Sequence, residues 1–224
     1  MALSVDYLYQ FALKLIRKNQ SGSLTSVEFA YHWNDAQGSY MDDLLGRFQA
    51  RNNGKEGPNT GLIENETILT KLNPFTIPET LTIAGGQATK PTDFIYTLAL
   101  RINNAKVFQV SKDQIWAMLD DVIDPASIAE DSYYYAEYQD YYKFYPDTVT
   151  AAELDYIATP TDVLWNFTFD GQGRQVYNSV GSVQPAWDNN SCREITKRML
   201  TNIGVSYKDA DFMNFGKSVQ LTGE

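Results

Sequence analysis

The sequence predicts an α+β fold: an N-terminal helical hairpin, a β-rich middle with hairpins, and two C-terminal helices. Three observations carry this expectation. Apolar residues recur at three- and four-residue steps at both ends of the chain. Short β-branched and aromatic runs, punctuated by Gly, Pro and Asn, fill the middle. No repeat of 20–50 residues is visible. At 224 residues the chain can bury a sizeable core. The expectation is one compact domain overall, divided into a helical hairpin at 1–50, an exposed loop at 51–61, a β-rich core at 62–188 and C-terminal helices at 189–224.

The first helix spans 4–18, with Ser4 as N-cap and Val5, Leu8, Ala12, Leu15 and Ile16 on one face. Lys14, Arg17 and Lys18 suit its carbonyl end. Gly22 can take positive φ in the following break. Thr25 and Glu28 have capping-box spacing, so a second helix starts near Ser26 and runs to about Phe48, with Phe29, Trp33, Ala36, Tyr40 and Leu44 inward. Residues 51–60 are polar and Gly-rich, a loop pattern. Strands are expected at 81–83, 92–102, 107–110, 154–158 and 163–169, with turns at 84–86 and 170–173. Ser111 is expected to cap a short helix over 112–119. The aromatic runs 133–138 and 141–145 read as a hairpin across Gln139 and Asp140. Asp188 to Asn190 can cap a helix over 191–202, with Ile195, Met199, Leu200 and Ile203 inward and Gly204 closing it. A final helix is expected over 209–219.

Composition excludes several function classes. There are 18 basic and 28 acidic residues, a net charge of −10 at pH 7, and no run of three Lys or Arg. Such a chain gains little from releasing phosphate counterions, which argues against a generic nucleic-acid coat. One cysteine, Cys192, excludes an internal disulfide and a multi-thiolate metal site within the chain. One histidine, His32, excludes two- and three-His metal sites. Apolar stretches fall short of a membrane span, and Asp6 with no basic flank reads against a secretory signal.

Each remaining pocket of chemistry has a plainer explanation. Centring a calcium loop on Gly22 places Asn19, Ser21, Ser23, Thr25 and Glu28 at ligand positions, but Arg17 stands where Asp is needed. A Cys192–His32 dyad is conceivable because Cys192 lies in a first helical turn, where a thiol pKa can fall. The acidic stretch from Asp120 to Asp140 could supply a carboxylate pair for glycoside hydrolysis beside stacking tyrosines, with nothing to fix the pair. Gly85-Gly86 and Gly171-Gln172-Gly173 lack the flanking residues of phosphate cradles. No cofactor, metal or catalytic residue is therefore expected, and the chain reads as a non-enzyme.

The most unusual feature is 131–146, with seven Tyr and one Phe in sixteen residues. Tyr joins apolar area to a polar tip, which suits wet interfaces. Two readings stand: one face packed in the core with the other exposed, or a subunit or ligand interface. Tyr134, Tyr138, Tyr142 and Trp165 are the interface candidates.

Two stretches carry a resemblance. The first joins Tyr7-x-Tyr9-x-Phe11, the run from Lys18 through Thr25 to Glu28-Phe29, and Asn34-x-Ala36-Gln37-x-x-Tyr40. The second joins Tyr145-Pro146, Tyr156-Ile157-x-x-Pro160, Trp165, Glu194-Ile195 and Ile203-Gly204-Val205. Together they cover about half the chain and resemble virion structural proteins of tailed phages infecting Bacteroidetes, the crAss-like phages and their relatives. The resemblance implies a head-to-tail connector or neck ring subunit, residing in the virion after assembly in the host cytoplasm. Its implied partners are other copies of itself in a ring and portal, neck or tail proteins, with DNA only as passing cargo and no membrane. A tail or portal-associated subunit is the nearest alternative, and a carbohydrate-binding module or glycosidase is the alternative of another class.

Overall fold

The computed structural model describes residues 3–18, 24–52, 61–115 and 132–206. The fold is α+β, with four helices and nine strands among the described residues. The chain groups into two compact units, Met1–Pro74 with Pro160–Glu224, and Phe75–Thr159.

The first unit is mainly helical. Its helices are α1 (Val5–Lys18), α2 (Ser26–Asn52), α3 (Gly61–Leu72) and α4 (Asn189–Ser206). Ser4 caps α1 through its Oγ, which accepts from Tyr7 N at 3.2 Å. Thr25 and Glu28 form the expected reciprocal capping box, with Glu28 N donating to Thr25 Oγ1 at 3.2 Å and Thr25 N to Glu28 Oε2 at 2.8 Å. Asp188 caps α4 by accepting from the backbone N–H groups of Asn190 and Ser191. Tyr9 of α1 packs on Phe29 of α2 and on Trp165, with ring centres 5.2 and 4.6 Å apart. The α2–α4 seam is closed by Tyr40 against Trp187 and by the Tyr40 and Ser191 hydroxyls at 3.2 Å. Gln37, buried in α2, accepts from Trp187 Nε1 and donates to the Thr161 carbonyl. Beside it, Asn34 exchanges two hydrogen bonds with the Val163 backbone. These two amide side chains satisfy backbone that has no strand partner of its own.

The second unit is a seven-stranded sheet. Its strands are β1 (Thr76–Thr82), β2 (Gln87–Thr89), β3 (Phe94–Ile102), β4 (Ala105–Gln109), β5 (Tyr133–Glu137), β6 (Tyr141–Tyr145) and β7 (Ala151–Ala158). Their order is β1-β7-β3-β4-β5-β6-β2, antiparallel throughout except for β4 with β5. The end strands β1 and β2 are consecutive in the chain and are bridged at Ala84 and Gln87, so the sheet curls until its edges meet at that turn. All seven strands send side chains into one core, among them Leu81, Ala88, Leu100, Val107, Tyr133, Tyr142, Phe144 and Leu154. Asn103 and Asn104, both at positive φ, form the two-residue β3–β4 turn.

Several expectations need correction. The β-rich part does not begin at Leu62: 61–72 is helical, with Ile68 and Leu72 buried one turn apart. Nor does it extend to 188, because 160–188 belongs to the helical unit and contributes only the short ribbon of β8 (Phe167–Phe169) and β9 (Gln175–Tyr177). Helix α2 continues to Asn52, into the expected 51–61 loop. Gly204 does not close α4, which passes through it to Ser206, and Leu15 is only half-buried while Tyr9 and Leu13 are buried. The final helix at 209–219, the turn around Gly22 and most of the 112–119 helix lie outside the described residues.

Candidate docking surface

Alternation along the β5–β6 hairpin divides the tyrosine cluster in two. Tyr133, Tyr135, Tyr142 and Phe144 point into the curled sheet and are buried. The Tyr142 hydroxyl meets Thr97 Oγ1 at 2.7 Å, and its ring lies edge-on to Tyr135 and to Phe94. Burial, with lesser effects of Glu137 and Tyr96, pushes the Tyr135 phenol up to about 12. Burial also raises the Tyr142 phenol, against the opposing hydrogen bond from Thr97.

The opposite face carries an aromatic stripe. Tyr134 and Tyr145 are directly cross-strand, Phe108 of β4 lies 6.2 Å from Tyr134, and Tyr138 and Tyr141 stack at 4.6 Å with planes 5° apart. Tyr138 and Tyr141 close the hairpin end through the bond from Tyr138 N to Tyr141 O. The Tyr145 phenol is raised by burial and by Tyr138 and Tyr141. Three lysines sit over these rings: Lys112 over Tyr138 at 4.4 Å, Lys106 over Phe108 at 5.5 Å and Lys143 over Tyr145 at 5.9 Å. Phe108 is 52% exposed, while Tyr134, Tyr138, Tyr141 and Tyr145 are half-buried. The result is an amphipathic, locally cationic face on the outside of the sheet.

Of the four interface candidates, Tyr134 and Tyr138 lie on this face. Tyr142 and Trp165 do not. Tyr142 is 0% exposed and Trp165 4%, so neither offers surface to a partner. Trp165 is anchored in its own unit by Nε1 donating to Asp6 Oδ1 at 2.9 Å. Strict alternation from Tyr133 would have separated inward from outward positions. It would also have added Tyr141 and Tyr145, which sequence reasoning missed together with Phe108.

The helical unit carries a second exposed apolar surface. Tyr7 and Phe11 of α1 are 54% and 41% exposed and stack with ring centres 6.3 Å apart. They border a groove of about 370 Å³ between α1 and α4, floored by Leu8 and Leu200.

The residues weighed for chemistry are not assembled for it. Cys192 is buried, its thiol directed at the Trp187 carbonyl at 3.6 Å, and burial with the charge of Asp188 pushes it up to about 11. The first-turn position, where a thiol pKa can fall, brings no lowering here. His32 is half-buried, with its ring against Tyr31 at 5.4 Å. Glu28, the would-be calcium ligand, spends its carboxylate on the Thr25 cap, which lowers its pKa. Of the acidic stretch, Glu137 is paired with Lys90 at 2.7 Å, Asp140 lies in the hairpin turn, and 120–131 lies outside the described residues. Among the described residues no cluster of three metal-ligating side chains occurs, and no helix is long and apolar enough to cross a membrane.

No family model matches this chain, and no curated protein matches it.

Proposed function

We propose that the chain is a phage virion structural protein, a head-to-tail connector or neck ring subunit that acts through subunit packing. The observation that carries this reading is the presence of two unlike apolar surfaces, one on each unit. The Phe108–Tyr134–Tyr145 stripe lies on the sheet, and the Tyr7–Phe11 groove lies on the helical unit. A ring closes by heterologous contacts, in which one patch of a subunit meets a different patch of the next. A two-fold dimer would need only one self-complementary patch. The stripe on this reading docks a second copy of this chain. The resemblance of the N-terminal and C-terminal segments to virion proteins supports the same reading and supplies its specific place in the particle.

Light scattering across a concentration series tests it. The expected result is a closed assembly of defined mass, lost when Tyr134 and Tyr145 are replaced by Ser and equally lost when Phe11 is replaced by Ser. A monomer at every concentration, or an assembly indifferent to both sets of substitutions, overturns it. Quenching of tyrosine fluorescence by oligosaccharides, in a protein that stays monomeric, would instead favour a carbohydrate-binding module.

A further inference from the structure

A second site lies in the helical unit, beside the Tyr7–Phe11 groove, with which it shares Arg193 and Lys197. Helices α2, α3 and α4 border an open cleft of about 520 Å³. That volume is in the range of small-ligand sites. Five cationic side chains line it: Arg47, Lys71, Arg193, Lys197 and Arg198. Two carboxylates, Asp43 and Glu194, face them. In a chain of net charge −10, this concentration of positive charge runs against the composition.

The carboxylates do not satisfy the cations. Asp43 takes Arg47 at 2.9 Å and Arg198 at 2.7 Å. Burial opposes its ionisation, yet these two guanidinium groups hold its carboxyl below the usual range. Glu194 lies 3.6 Å from Lys197. Arg193 has no carboxylate partner among the described residues, and Lys71 meets the Tyr40 hydroxyl at 3.4 Å and helps hold the Asp188 carboxyl below its usual range. Arg198 donates its remaining terminal nitrogen to the Ser39 carbonyl, while its buried Nε has no acceptor.

We infer that this cleft binds a polyphosphate-type anion. Even with Asp188 beside Lys71 counted, the cations outnumber the carboxylates by two, which one carboxylate ligand cannot neutralise but a tri- or diphosphate chain can. Guanidinium forks pair with phosphate oxygens through two parallel hydrogen bonds, and lysine adds a mobile point charge. Arg193 and Lys71 are the groups with donors to spare.

Calorimetric titration of the full chain with sodium tripolyphosphate tests this. The expected result is saturable one-to-one binding that weakens about tenfold or more in Arg193→Gln and again in Lys71→Gln, the scale of one charge-assisted hydrogen bond. Both side chains sit at the cleft rim, and circular dichroism of each variant verifies its fold. Phe169→Ser, on the exposed β8 strand, should leave binding intact. A short DNA duplex that displaces tripolyphosphate identifies a nucleic-acid backbone as the source of the phosphates. A duplex that does not displace it identifies a free anion. No saturable binding at millimolar tripolyphosphate overturns the inference. So does binding unchanged in both variants, or a hexaglutamate peptide binding as tightly as tripolyphosphate.

Discussion

Replacing Tyr142 and Tyr145, three residues apart on one strand, separates packing from docking. Tyr142 is fully buried, contacts Tyr135, Phe144 and Phe94, and shares a hydrogen bond with Thr97. Truncation to Ala empties a core aromatic site, which costs about 3–5 kcal/mol. Tyr142→Phe keeps the ring and loses one hydrogen bond, about 1 kcal/mol. Tyr145 instead pairs across the outer face with Tyr134, a contact of about 0.2–1 kcal/mol. Tyr145→Ser should therefore leave the urea midpoint close to that of the parent. If Tyr145 anchors a subunit contact, however, the same change should weaken association by about 2 kcal/mol, about thirtyfold.

Urea unfolding followed by circular dichroism reads the first quantity, and light scattering over a dilution series reads the second. The two variants should fall on opposite corners: Tyr142→Ala unstable, Tyr145→Ser stable but dissociated. The reasoning fails if Tyr145→Ser unfolds as readily as Tyr142→Ala. It fails equally if Tyr145→Ser associates like the parent.

Three further outcomes follow from the same structure. Cys192, buried with its thiol pushed up to about 11, should resist alkylation by iodoacetamide at pH 8 in the folded protein and react only when urea exposes it; rapid native labelling would contradict the burial. Gly86→Ala should destabilise by about 1–2 kcal/mol or more, because φ is +73° and a Cβ would lie 2.9 Å from Asp147 Cβ, whereas Gly85→Asn, in open space at φ +58°, should be tolerated in urea unfolding. Asp43 and Asp188 have folded pKa values held below the unfolded one, so their contribution is present above about pH 4 and is lost as pH falls through the depressed values. The urea midpoint should accordingly drop in acid, and the drop should be smaller in Asp43→Asn.

The capping signals were legible because they are local. Ser4, the Thr25–Glu28 pair and Asp188 each act over three or four residues, and the sequence displays that spacing directly. The aromatic hairpin was legible for the same reason. Helix α3 was not: its buried stripe, Ile68 and Leu72, is short, and β-branched residues beside it resemble a strand start. The partition of the chain was hidden because it depends on closure of the curled sheet. That closure joins β1 to β7 and β2 to β6, pairings across more than fifty residues that no local pattern marks. The site was half visible. A tyrosine-rich run marks a surface, but the alternation along β5 and β6 has to be applied to separate Tyr134 and Tyr138 from Tyr142. Trp165 was misplaced because its partners, Tyr9 and Asp6, come from α1. The cationic cleft gave no sequence signal, since Arg47, Lys71 and Arg193 stand on three helices.

The acidity of the chain and its basic cleft act over different distances, and salt separates them. At net charge −10 the far field repels an approaching polyanion, while within a few ångströms Arg193, Lys71 and Arg198 dominate. The Debye length is about 30 Å at 0.01 M salt and about 10 Å at 0.1 M, so added salt first screens the distant repulsion. Contacts inside the partly buried cleft are screened less. Stopped-flow mixing with tripolyphosphate should therefore show association that quickens as salt rises through this range, with dissociation quickening as well once the cleft contacts are screened. A surface of scattered lysines gives the opposite initial trend, with association slowing monotonically from the lowest salt, because there the attractive charges are themselves the exposed ones. Monotonic slowing would mean that the anion meets a diffuse positive surface, and the converging arrangement of Arg193, Lys71 and Arg198 would then have no role in its capture.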